Sequence, residues 1–152
     1  MDCGRLRPLG SSLIMMARYA WALPCSAVGL IPALALILMG ARFRVRDGVV
    51  EVSGGLLGQA LACLPAKVGF NAITLGHVIL GVNESTLDAV RAHEHVHVRQ
   101  CERWGLLFFP AYLLSSLAQL MRGRDPYFDN HFEREAYSKA PLARPCADPA
   151  AR

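Results

Sequence analysis

The stretch His93-Glu94-His95-Val96-His97 decides how the chain is read, because it admits two geometries with different chemistry. On a helix, His93 and His97 stand one turn apart on the same face. Two imidazoles can then grip one metal ion while Glu94 reaches a water on that metal. On a strand, His93, His95 and His97 would share one face as a three-histidine metal site.

The flanks choose the helix. Ser85 or Thr86 can cap it, and Asp88 follows where negative charge complements the helix dipole. Leu87, Val90, Glu94, His97, Cys101 and Trp104 recur at spacings of three and four, and Gly105 is placed to stop the run. Glu94 and His97 share a stripe with apolar Leu87 and Val90, with His93 beside it, so the candidate ligands are expected to face inward. His95 points roughly 200° away from His93, which leaves it outside the first coordination sphere. Cys101 lies one turn beyond His97 and reads as a packed thiol rather than a ligand.

Upstream, residues 70–81, FNAITLGHVILG, are rich in β-branched and apolar side chains and predict one strand. Arg42-Phe43-Arg44-Val45-Arg46 alternates in polarity, Asp47-Gly48 is a hairpin turn, and Val49-Val50-Glu51-Val52 continues as its second strand. Residues 56–65 read equally as a short helix or a loop. Residues 19–40 carry no charge, and a run of about 22 residues is long enough to cross the hydrocarbon core of a bilayer. That is long for a signal peptide, and Pro24 and Pro32 disfavour a soluble core helix. Downstream, Pro110 can start a helix of about 13 residues ending at Arg122, in the core or dipping into a membrane. Asp129 or Asn130 can cap a last helix through Tyr137, and Pro141, Pro145 and Pro149 oppose helix beyond it.

The chain is therefore expected to divide into a basic lead-in (1–18), a transmembrane helix (19–41), a folded domain (42–137) and a flexible Pro/Ala-rich tail (138–152). Its net charge of +4 comes from 16 basic residues, all arginine except Lys67 and Lys139. They are scattered without aromatic interleaving, so no nucleic-acid partner is expected. The five cysteines are odd in number and lack ligand spacing, which points to reduced thiols rather than a disulfide framework.

A catalytic zinc site needs a third protein ligand and one open position. Glu133, on a later helix, is the candidate. Glu135 is its competitor, and the two differ by about 200° in helical direction, so only one can face the metal. The motif HEHVH, the strand FNAITLGHVIL before it, and Glu133-Arg134-Glu135-Ala136 resemble the gluzincin metallopeptidases, closest to the membrane-associated CAAX-protease-like group with its HExxH and ExxAD motifs. The resemblance covers roughly residues 70–137. It implies zinc held by His93, His97 and Glu133, with Glu94 as general base and a zinc-activated water as the nucleophile on a peptide bond. Tyr137 stands where ExxAD has Asp, so another group must orient a ligand.

The expected fold is α+β, a minimal zincin-like domain in which a β-hairpin and an edge strand pack with the HExxH helix and a following helical hairpin, behind an N-terminal membrane helix. A peptide or protein is the expected substrate, aligned along the free edge of the 73–80 strand. His77, Tyr112, His131 and Tyr137 are candidates for stabilising an oxyanion or steadying a ligand. The expected location is a membrane, the inner membrane of a bacterium, in either orientation. The alternative reading is an inactive zincin-like metal-binding or interaction module of a membrane protein.

Overall fold

A computed structural model describes residues 9–56, 58 and 71–141, with side chains from Met16 onward. Most of 56–65, the tail beyond Pro141, and Cys3, Cys63 and Cys146 lie outside the described residues. The elements are α1 (Leu9–Leu38), β1 (Arg42–Arg46), β2 (Val49–Ser53), β3 (Ala72–Leu75), β4 (Val78–Gly81), α2 (Glu84–Trp104), a 3-10 turn (Gly105–Leu107), α3 (Phe108–Met121) and α4 (His131–Lys139). The architecture is α+β, as expected, around one four-stranded mixed sheet in the order β1-β2-β4-β3.

Asp47 and Gly48 turn the first hairpin with positive φ at both positions, 50° and 77°, which matches the twist of the flanking strands. The single strand expected over 70–81 is instead a second hairpin. Gly76, at φ 66°, reverses the chain, and Leu75 pairs with Val78 across the turn. Both halves are apolar for different reasons. β4 is an inner strand covered on both faces, with Val78, Ile79 and Leu80 all buried, so it shows no alternation. β3 is an edge strand, and β2 runs parallel to β4 in the centre.

Each face of the sheet carries a helix. Val52, Val78 and Leu80 pack with Ala33 of α1, and Val49 and Ile79 pack with Leu87 and Val98 of α2. Along most of its length α1 meets the sheet through small residues, since Ala22, Cys25, Ser26 and Ala33 are buried and a Cβ on Gly29 would lie 2.8 Å from Leu75 Cβ, and Leu36 and Ile37 join the packing at its end. The helix begins at Leu9, well before the uncharged run, and it serves as a layer of the fold. Over Met16–Leu38 its mean hydropathy of 2.0 makes it long and apolar enough to cross a membrane, a test that a signal sequence or a core helix also passes.

Asn83, not Ser85 or Thr86, caps α2, its side chain accepting from the Thr86 backbone N–H. Asp88 lies beyond the first turn and pairs with Arg91. Gly105, at φ 56°, ends α2 where the spacing predicts. The last helix is capped by Asn130, one of the two expected candidates, and runs two residues past Tyr137 to Lys139.

Candidate metal centre

α2 and α4 bring together His93, His97 and Glu133, which are 1%, 6% and 3% exposed. His93 Nε2 lies 3.2 Å from Glu133 Oε2 and 3.2 Å from His97 Nε2, and His97 Nε2 lies 3.3 Å from Glu133 Oε1. Hydrogen bonds cannot satisfy this triangle. If each imidazole donates to Glu133, the two N–H groups confront each other. A cation at the centre satisfies all three at once, and these three groups could hold a metal ion. Tetrahedral ligands at roughly 2.0–2.1 Å from a zinc ion stand about 3.3 Å apart, the spacing found.

Charge supports the same arrangement. Burial would push the Glu133 carboxyl up, but the two imidazoles and the Tyr112 hydroxyl more than offset it and hold it down to about 2. Burial likewise opposes a charged His97, while the Glu133 hydrogen bond and charge, with the charge of Glu94, raise its pKa above the ordinary value. The pocket therefore favours a carboxylate facing positive charge.

Glu94 sits beside this triangle without joining it. It is 7% exposed, and its Oε2 accepts a 2.7 Å hydrogen bond from Thr74 Oγ1 on the edge strand β3. Tyr112, from α3, donates to Glu133 Oε1 at 2.8 Å. Tyr137 meets His93 edge-on, ring centroids 4.6 Å apart. A ring thus steadies His93 at the position where the resemblance leads one to expect a carboxylate.

Two of the remaining candidates lie elsewhere. His77 joins α1 to α2: Nδ1 is 3.2 Å from Ser26 Oγ, Nε2 is 3.2 Å from Glu102 Oε1, and the ring stacks on Tyr19. His131 begins α4, with its ring edge-on to Phe132 and its backbone N–H donating to Ser115 Oγ. Glu135 accepts from Gln100, Arg103 and Lys139 and does not join the triangle. Cys101 is fully buried with Phe108 and Phe132, and burial pushes its thiol up to about 12, so it is a packed thiol.

Sequence reasoning missed Thr74 and Gln100. Gln100 is 1% exposed, and its Oε1 lies 2.8 Å from His97 Nδ1. Its amide nitrogen donates to Phe132 O at 3.0 Å and to Glu135 Oε2 at 2.9 Å. Two acceptors on the nitrogen fix the amide orientation, so Oε1 accepts from His97 Nδ1–H. His97 Nε2 then keeps its lone pair for a metal. The signal was legible: Gln100 stands three residues after His97 on the same helical face. Replacing Gln100 with Leu should weaken zinc affinity about 10–100-fold, measured by chelator competition.

No family model, curated protein or solved structure matches the chain.

Proposed function

We propose that the protein is a membrane-associated zinc metallopeptidase of the gluzincin type, in which His93, His97 and Glu133 hold the metal and Glu94 is the general base. One observation carries the reading: three buried donor atoms are spaced as a tetrahedral metal requires, beside a buried carboxylate that is not a donor. A bound zinc ion would supply a Lewis acid that polarises a peptide carbonyl and brings the pKa of water toward neutrality. The rest is done by side chains. One oxygen of Glu94 is held by Thr74; the other takes a proton from water and passes it to the leaving amine. The outer edge of β3, which carries Thr74 and has no strand beside it among the described residues, aligns an extended peptide next to that carboxylate.

Thr74 is then a positioning residue. Thr74→Val keeps the shape and removes the hydrogen bond, worth about 1.5–3 kcal/mol to a charged acceptor. It should lower kcat roughly tenfold or more with zinc content unchanged. Equal loss of zinc and activity would mean that Thr74 holds the fold instead.

Membrane association is proposed from the uncharged length of α1, which the fold retains as a layer: without it, Val52, Val78 and Leu80 would be bare. A non-catalytic metal module is favoured by a different observation, that all four groups of the site are at most 7% exposed. Zinc stoichiometry combined with hydrolysis of a mixed peptide library separates the two. One zinc per chain with cleavage supports the peptidase, zinc without cleavage supports the module, and absence of metal binding removes both.

A further inference from the structure

α3 buries Phe108 at its start, turns hydrogen-bonding side chains inward along the rest of its length, and is apolar outside. Its inward side chains bond to the protein: Tyr112 to Glu133, Ser116 Oγ to Asn130 Nδ2 at 2.7 Å, and Ser115 Oγ to the His131 backbone N–H. The outward face of the turn and helix carries Leu106, Leu107, Leu113, Leu114, Leu117 and Leu120, 50–67% exposed, with Leu113, Leu117 and Leu120 four and three residues apart. Such polarity is the reverse of a helix facing water. α1 repeats it, with its small residues against the sheet and Leu23, Ile31, Leu34 and Leu38 60–80% exposed. The two surfaces are continuous at the 3-10 turn, where Trp21 lies so close that a Cβ on Gly105 would be 2.9 Å from its ring.

A spanning α1 is incompatible with the sheet that lies along it. Tyr19 Oη donates to Gly48 O at one end of the sheet, Gly29 touches Leu75 and Val78, and Ala41 packs on Gly55 at the other end. Upright in the bilayer, α1 would carry the whole sheet into hydrocarbon. The outer backbone of the edge strands, unpaired by any strand among the described residues, finds no water there, and Arg42, Arg44 and Arg46 of β1, all exposed, would be stranded in it. α3, with 14 residues, is too short to cross alone. Arg18, Arg103, Arg122 and Arg124 are exposed beside these apolar segments, Arg18 paired with Glu102 and Arg103 with Glu135, and neither Leu9–Leu38 nor Gly105–Met121 contains an acidic residue. That charge suits anionic headgroups.

We infer that the chain is monotopic: α1, the 3-10 turn and α3 rest together in one leaflet of an anionic phospholipid bilayer, apolar faces submerged by about 5–10 Å, without crossing it. This rests on the membrane reading of α1 and is independent of the peptidase chemistry. The metal centre then lies within roughly one helix diameter, about 10 Å, of hydrocarbon, because α3 holds Glu133 through Tyr112 while Leu113 and Leu114 face lipid.

The test uses the full chain with a different epitope at each end, expressed in bacterial cells. Membranes are separated by flotation and probed with protease as spheroplasts and as inverted vesicles. The expected result is a floating chain with both epitopes on the same side. Epitopes on opposite sides would show that α1 crosses, overturning the inference while keeping the membrane reading. A chain that stays soluble, whether monomer or dimer, overturns both. Purified protein should also bind phosphatidylglycerol-containing vesicles at least about tenfold better than phosphatidylcholine vesicles. Leu114→Asp with Leu117→Asp should lose that binding roughly tenfold with far-UV circular dichroism unchanged; Leu106→Asp serves if the pair fails to fold. Unchanged binding would remove α3 from the membrane surface and overturn the inference.

Discussion

Glu94→Gln should leave one zinc bound per chain and lower peptide hydrolysis by at least about 100-fold, the lower end of what a positioned general base contributes. Metal retention follows from geometry. The three donor atoms belong to His93, His97 and Glu133, and Glu94 is not among them. Packing should survive as well. The Gln carbonyl oxygen can accept the Thr74 hydroxyl as the Glu94 carboxylate does, and the volume is unchanged. What is lost is basicity, because an amide cannot take a proton from water near neutral pH. His97→Ala should separate in the opposite way, losing zinc together with activity, since two remaining donors do not make a site. The pair is measured by metal analysis after dialysis and by single-turnover cleavage. Loss of zinc in Glu94→Gln would mean that Glu94 is a ligand and Glu133 is not. Undiminished hydrolysis in Glu94→Gln would remove the proposed mechanism outright.

The local half of this site was legible because helical spacing is a local property. Two histidines four apart, with Leu87 and Val90 on their side, define an inward face whatever the rest of the chain does. Opposite helical directions made Glu133 and Glu135 exclusive, and the structure turns Glu133 inward and Glu135 toward Gln100 and Lys139. The long-range half was not legible. An inner strand covered on both faces loses its alternation, so β4 merged with β3 into one apolar run, and only the positive φ of Gly76 divides them. Nothing local in Val49–Ser53 or Val78–Gly81 announces that β2 and β4 run parallel. The role of α1 was hidden for a related reason. Hydropathy averages over a helix, whereas its packing depends on which side holds Ala22, Cys25, Gly29 and Ala33.

The second large effect concerns what sets the rotation of α2, and so the direction of its histidines, against the sheet. Glu51 lies on β2, 2% exposed, on the face that carries Val49, and Arg91 reaches it from α2 with two hydrogen bonds, Nε to Oε1 at 2.6 Å and Nη2 to Oε2 at 3.0 Å. Arg91 also pairs with Asp88, and these hydrogen bonds lift its pKa further above an already high value. Arg91→Leu leaves the Glu51 carboxylate buried without its partner, a change that costs about 3–5 kcal/mol. Against a total stability of roughly 5–15 kcal/mol this is a large share. At about 2–4 °C per kcal/mol, Tm should fall by roughly 6–20 °C. Adding Glu51→Leu should restore most of the loss, because two apolar side chains replace a buried pair at little net cost. Thermal unfolding of the wild type, both single variants and the double variant closes the cycle. If Arg91→Leu unfolds within about 1 kcal/mol of the wild type, the pair does not hold helix to sheet. Zinc affinity then separates stability from orientation. A double variant that regains Tm but binds zinc more weakly shows that the fork of Arg91 on Glu51 also aims His93 and His97 at Glu133.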